Sequence, residues 1–365
     1  MKIAVAMDSF KGCLGSGRAG DAVLEGIRRA GFDAARFLLA DGGEGTAMAV
    51  SEGMDVRSFE ATGPLKERVR AEYYASEDKA VIDIAASSGL PLVPEDKKEK
   101  GWLLKANTRG FGEAILDAIE HGARDITLCL GGSGTNDLGA GMLSALGAKF
   151  YDAAGKTLEP VPSDLLNASS CDLSLVNSLI EGIKIRALCD VTNPLLGDNG
   201  AARIFGRLKG ADMATSEVLE SFGKSFAGVL SPGSPTDIAG YGAAGGMGFC
   251  IAEVLGGELI PGAPYVISKT GLLSYLEGAD ILITGEGRAD KSSLGGKAAF
   301  EACKTARLSG VDLRFVIAGS ADIAAEEFGA TAIVSLPEGP SMLDPDVAYA
   351  NIANASYELM SGLNG

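Results

Sequence analysis

The chain has 365 residues, 46% of them apolar, with 48 acidic against 32 basic side chains and a net charge of −16. That length exceeds what one hydrophobic core usually supports, so two domains are expected. The acidic balance excludes nucleic acid and anionic membrane as partners, since both need basic surface, and leaves any anionic substrate to local cations and backbone dipoles.

Ile3 to Met7 is a short apolar run, as a strand buried on both faces of a parallel sheet requires. After a loop over 8–17, Ala19, Val23 and Ile27, with Ala22 and Gly26 beside them, give helical spacing that ends near Gly31. Arg36 to Ala40 reads as the next strand, followed by an acidic glycine turn and a short helix through Val50. The pattern then changes to three strands joined by short turns (57–61, 69–75 and 79–85), an antiparallel meander. Helical spacing returns at Glu113 to Ala123, then a strand at Ile126 to Leu130, a helix at Leu138 to Leu146, and a strand at Ile183 to Leu188. Strands at 280–284, 313–318 and 332–336, with helices between and after them, restore the α/β alternation. The expected fold is α/β: a Rossmann-like doubly wound parallel sheet, made of 1–62 and 270–365, interrupted by an inserted mixed α/β domain at 63–269, with the active site in the cleft between.

Met1 to Met7 meets Asp8 at once, leaving no room for a signal segment, and no apolar stretch reaches about 18 residues. A soluble, cytoplasmic protein is expected. Six cysteines without C-x-x-C pairing and a single histidine, His121, give no zinc spacing. Free thiols in a reducing compartment fit them, and His121 fits a dipole partner at its helix C-terminus. The run Glu95 to Lys100 reads as a solvated charged face.

Chemistry concentrates in glycine-rich segments expected at strand ends: Asp41 to Thr46, Gly131 to Asp137, Gly240 to Gly246 and Thr284 to Asp290. With 51 glycines, usage is about twice ordinary, and it is not periodic. Glycine allows close backbone approach to a ligand, and adjacent N–H groups cradle anions. Carboxylates beside such cradles suit magnesium shared with a phosphate. Neither a dinucleotide fingerprint nor a Walker A loop fits: Gly240-x-Gly242-x-x-Gly245 follows a proline-rich loop, and Gly296-Lys297 is followed by Ala298. Gly131 to Asp137 lies between a strand and a helix, where phosphate binds readily; a tight turn capped by Asn136 or Asp137 is the alternative, but Gly-Gly-Ser-Gly-Thr is more flexible than a cap requires. Asp190 ends a strand before a rigid Pro194 and could accept a substrate proton; an Asx turn would look the same.

Taken in order, these segments resemble the bacterial glycerate kinase family, of the glycerate 2-kinase type. The resemblance rests on Asp8-Ser9-Phe10-Lys11-Gly12, Ala40 to Thr46, Thr62 to Leu65, Ser88-Gly89-Leu90, Gly131 to Asp137, Cys189-Asp190-Val191 with Asn193-Pro194-Leu195, Gly242 to Gly246, and Thr284 to Arg288. It covers nearly the whole chain and implies ATP-dependent phosphorylation of D-glycerate to 2-phosphoglycerate with Mg2+. Three places depart from the pattern: Cys13-Leu14-Gly15 for Ser-Leu-Ser, Arg207-Leu208 for Pro-Gln within Phe205 to Ala211, and Asp290 to Ser293 for Asp-x-Gln-Thr.

The site expected from residues and resemblance has Asp190 and Lys11 in catalysis. Asp8, Ser9 and Arg288 contact substrate, Gly132, Ser133, Gly134, Thr135 and Asn136 surround nucleotide phosphates, and Asp41, Glu44, Glu286 and Asp290 surround the metal. Glycerate and ATP are the partners, with no nucleic acid or membrane, and a homodimer is left open. Three other readings share the acidic turns: a kinase for a related hydroxy acid, a magnesium-dependent phosphatase or lyase, and a non-catalytic ligand sensor.

Overall fold

In chain order the strands are β1 (Ile3–Met7), β2 (Ala35–Leu38), β3 (Asp55–Thr62), β4 (Arg68–Ser76), β5 (Lys79–Asp83), β6 (Asp125–Cys129), β7 (Lys149–Tyr151), β8 (Ser170–Asp172), β9 (Lys184–Cys189), β10 (Glu258–Pro261), β11 (Ile281–Ala289), β12 (Leu313–Ala321) and β13 (Ala332–Ser335). The structure is a computed structural model that describes residues 1–337 and 343–363. The chain divides into two compact units, Met1–Glu52 with Pro261–Gly365, and Gly53–Ile260.

Every residue of β1 is buried, and its alternation explains the first unit. Ile3, Val5 and Met7 join one apolar layer with Ala19, Val23 and Ile27 of helix Ser16–Arg29 and with Ile352 and Met360 of helix Pro345–Gly362. Ala4 and Ala6 join the opposite layer, with helices Gly262–Lys269, Leu272–Leu276 and Ala298–Leu308. The sheet between them has the order β13-β12-β11-β1-β2, and its neighbours run parallel. This is a doubly wound, Rossmann-like sheet with helices on both faces.

The second unit holds a mixed six-stranded sheet, order β10-β9-β6-β5-β4-β3, and a two-stranded β7-β8 ribbon. β3, β4 and β5 form an antiparallel meander, while β5, β6 and β9 run parallel. Its core includes Phe111, Ile115, Leu128 and Phe150, and Phe222 stacks on Phe226 with ring centroids 5.3 Å apart.

The unit edges fall at 52/53 and 260/261, not at 62/63 and 269/270. β3 pairs with β4 along its whole length, which carries 55–62 into the second unit. Helix Gly262–Lys269 buries Ala263 and Ile267 in the first unit's core, which moves the other edge forward. The strand expected at 79–85 ends at Asp83, because Ala85–Ser88 turns helical. The helix expected from Leu138 begins at Ala140, since Leu138 and Gly139 have positive φ.

Thr284 to Ala289 is not a turn. β11 runs through it, paired with β12 as far as Ala289↔Ala321. Gly285 is bare because a Cβ there would sit 2.0 Å from the Ile317 carbonyl oxygen, so the glycine serves close strand contact, not chain reversal. The Gly240–Gly246 segment does not follow a strand either. It enters helix Ala243–Phe249, in which Ala244, Gly245 and Gly246 have positive φ.

None of the six cysteines is in a disulfide; Cys129, Cys189, Cys250 and Cys303 are buried. His121 caps helix Arg109–Glu120, its Nδ1 2.8 Å from the Asp117 carbonyl oxygen. Among the described residues, no helix is long and apolar enough to cross a membrane.

Candidate active site

In open parallel sheets, ligands bind outside the carboxyl ends of the strands. In the first unit that edge carries three buried carboxylates: Asp8 directly after β1, Asp41 after β2, and Glu286 within β11. The Asp8 N–H donates to the Gly285 carbonyl (2.8 Å), which ties the end of β1 to β11. Thr284 Oγ1 donates to the Ala6 carbonyl (2.6 Å) beside it. The Asp41 turn is held by its own side chain: Oδ1 accepts the Gly43 N–H at 3.0 Å, and the Gly42 N–H donates to Thr46 Oγ1 at 3.1 Å.

Burial pushes the Asp8 carboxyl up to about 7, with the Asp41 and Glu286 charges adding to the rise and the Ser9 N–H and Lys11 opposing it. A carboxyl near neutrality is suited to taking and returning a proton. Burial also raises Glu286, opposed in part by the Ser293 hydroxyl and by Lys297, whose Nζ lies 3.4 Å from Oε2. Among the described residues, none hydrogen-bonds to the buried Glu286 Oε1. Lys11 stands exposed in the turn that Phe10 and Leu14 close by mutual backbone bonds, and Ser9 donates its N–H to Asp8 Oδ1 at 2.7 Å.

The remaining expected residues of this unit are less buried. Glu44 is exposed. Asp290 is occupied as a turn residue, accepting from Ser292 N–H at 2.8 Å and from its hydroxyl. Arg288 is spread between Asp290 (3.2 Å) and Asp322 (2.7 Å), its side chain 64% exposed. The four carboxylates expected at the metal are thus unequally placed. The Asp41 and Glu286 charges both act on Asp8 and both side chains are buried. Glu44 is exposed, and Asp290, tied into its own turn, adds its charge to the rise at Glu286. Among the described residues, no group of three or more histidine, cysteine, aspartate or glutamate side chains is placed to hold a metal ion.

In the second unit the loop after β6 is packed from Ser133 onward, while Gly132 is exposed. Gly134 donates its N–H to the Ser88 carbonyl (2.8 Å), and Leu90 donates to the Gly132 carbonyl (3.0 Å). A Cβ on Gly134 would lie 2.8 Å from Leu90 Cα, so this glycine admits a neighbouring chain segment. Asp137 is fully buried and accepts from Thr108 N–H and Oγ1 (2.8 Å each) and from Gly141 N–H (2.9 Å). The Met142 N–H goes to Thr108 Oγ1 at 3.0 Å. Thus two amides at the start of the following helix, expected to face an anion, are taken by Asp137 and Thr108. Ser133, Thr135 and Asn136 are all buried.

Sequence reasoning missed Lys209. It is buried, its Nζ donating to Ser133 Oγ (2.9 Å) and to the Thr135 carbonyl (2.6 Å). Burial pulls its amine down to about 7, with Asp137 opposing. The available signal was that Lys209 keeps the family residue beside the two departures at Arg207 and Leu208. Asp190 is exposed just past β9. The Asn193 carbonyl nearby accepts the Gly242 N–H at 2.9 Å, and Asn193 Nδ2 donates to the Asn199 carbonyl at 2.7 Å. A separate cavity of about 560 Å3 in this unit is lined by Leu65, Trp102 and four lysines, three of them from the 97–105 stretch, and contains none of the expected site residues.

A sequence model described as the glycerate kinase family matches residues 3–361. The glycerate kinase of Bacillus cereus is 41% identical, with 96% of this chain and 95% of that protein covered. The glycerate 2-kinase of Escherichia coli is 38% identical over 100% of this chain and 98% of its own. A crystal structure from Salmonella typhimurium, of a protein provisionally named glycerate kinase 2, superposes with a TM-score of 0.86 at 34% identity, covering 100% of this chain and 98% of that one. With its doubly wound sheet, its mixed-sheet unit and this match over nearly its whole length, the chain belongs to the glycerate kinase family, a family of phosphotransferases.

Proposed function

We propose that the protein transfers the γ-phosphoryl group of ATP to the C2 hydroxyl of D-glycerate, giving 2-phosphoglycerate and ADP. The observation that carries the reading is the group of buried carboxylates at the carboxyl edge of the parallel sheet, with Asp8 raised to about 7. Choice of C2 is supported by the similarity to a relative named glycerate 2-kinase.

Phosphoryl transfer asks for positioning and charge neutralisation more than for covalent chemistry. Asp8 would accept the hydroxyl proton as the oxygen attacks, since a buried acid near neutrality is matched to that step. Lys11 and Arg288 would meet the anionic groups of the substrate. Ser133 to Asn136 would face the nucleotide phosphates. Magnesium fits the donor chemistry: it takes hard oxygens, commonly one or two carboxylates together with phosphate oxygens, and a divalent cation would offset the Asp41 and Glu286 charges that add to the burial-driven rise at Asp8. Asp41 would hold it, with Glu286 as a further donor; when bound, the ion supplies neutralisation of phosphate charge.

Asp190 is the second candidate for proton acceptor, because it closes β9 beside a turn fixed by Asn193. Incubation with D-glycerate, ATP and Mg2+, with ADP release followed by a coupled assay and the product identified by phosphorus NMR, tests the whole reading. Release of ADP with a 2-phosphoglycerate signal is expected. A 3-phosphoglycerate signal would overturn the C2 assignment, and turnover without nucleotide would make the protein a phosphatase or lyase.

A further inference from the structure

Lys209 is expensive where it stands. An ammonium taken out of water loses solvation that neutral partners replace only in part. A methionine of similar length would fill the volume without that penalty. The lysine instead spans to a loop more than seventy residues earlier in sequence, donating to Ser133 Oγ at 2.9 Å and to the Thr135 carbonyl at 2.6 Å.

The direction of these bonds matters. A hydroxyl has one proton and can accept through its lone pairs. Because Nζ donates to Ser133 Oγ, the serine oxygen acts as acceptor inside the protein and its own proton is free to point elsewhere. The bond to the Thr135 carbonyl fixes the next peptide units in the same stroke. We infer that Lys209 is a positioning residue of the kinase reaction: it orients the Ser133 hydroxyl as a hydrogen-bond donor toward a nucleotide phosphate oxygen. This inference rests on the proposal that the 132–136 loop meets ATP.

A double-mutant cycle tests it. Wild type, Lys209→Met, Ser133→Ala and the double variant are compared for ATP KM, glycerate KM and kcat, with circular dichroism melts of each. If Lys209 acts through Ser133, each single change raises the ATP KM at least about fivefold and leaves glycerate KM within about twofold. The double variant is then no worse than the more damaging single one, since coupled residues are non-additive. Additive losses, or a lowered melting temperature with ATP KM unchanged, would overturn the inference. Ser133→Ala is a small excision in a buried loop, so it keeps the test decisive if Lys209→Met folds poorly. Wild-type turnover of ATP and glycerate in the same assay separates the outcomes: its absence sinks the kinase reading, whereas its presence with additive variants sinks only the role of Lys209.

Discussion

Replacing Asp8 with asparagine should make the protein more stable and nearly inactive. The Asp8 carboxyl is pushed from its usual 3.8 to about 7 by burial and by neighbouring acids. Between those values the folded state binds more protons than the unfolded one. Stability contributed by this group is therefore complete below about pH 4 and lost as pH rises through 7. A rise of about three pH units corresponds to roughly 4 kcal/mol at most, at about 1.4 kcal/mol per unit. Relaxation around the charge reduces this, so about 2–4 kcal/mol is expected at pH 8. Asparagine keeps an oxygen for the Ser9 N–H, which donates to Asp8 Oδ1 at 2.7 Å, and carries no charge. Thermal melts of wild type and Asp8→Asn in EDTA at pH 8 and pH 5 measure the difference. At pH 8 the variant should melt about 5–10 °C higher, given roughly 2–4 °C per kcal/mol for a unit of this size. At pH 5 wild-type Asp8 is protonated when folded, and the gap should shrink to less than half. A gap of equal size at both pH values, or a variant less stable at pH 8, would refute the reasoning that Asp8 is held in a repulsive, desolvated place.

Three further outcomes follow from the same geometry. Asp8→Asn should lower kcat at least about 100-fold, within the usual range for a lost general base, while Asp190→Asn lowers it less than about tenfold; the reverse ranking would move proton acceptance to Asp190. Gly134→Ala would place a Cβ 2.8 Å from the Leu90 backbone and should destabilise by about 1–3 kcal/mol; an unchanged denaturation midpoint would mean the Ser88–Leu90 segment yields freely. Adding Mg2+ with ATP should raise the melting temperature of wild type but not of Asp41→Asn, and an equal rise in both would remove Asp41 from the metal's neighbourhood.

Local chemistry made some of this legible in the sequence. A wholly apolar Ile3–Met7 could only be a strand covered on both faces, and its layers of helices follow. The acids after β1 and β2 were legible because strand ends collect at one edge. Gly285-Glu286-Gly287 misled for a physical reason: glycine signals both chain reversal and close strand approach, and only the carbonyl of Ile317 tells which. The same ambiguity hid Gly134, whose neighbour is the distant Leu90 backbone. The burial of Lys209 was illegible because its partners, Ser133 and Thr135, are separated from it by 76 and 74 residues. A buried amine and a solvated one look identical until the chain is folded.

The placement of β1 has a consequence for synthesis. β1 pairs with β2 on one side and with β11 on the other, Ile3 lying opposite Ile281. A nascent chain emerges from its N-terminus, so this apolar strand leaves the ribosome long before its second partner exists. Gly53–Ile260 can condense meanwhile, since domains form as units as they appear. At about 5–20 residues per second, β1 waits on the order of 15–60 s with one edge open and sticky. The protein should therefore lean on holding chaperones during translation more than a chain of equal size whose first strand finds both neighbours nearby.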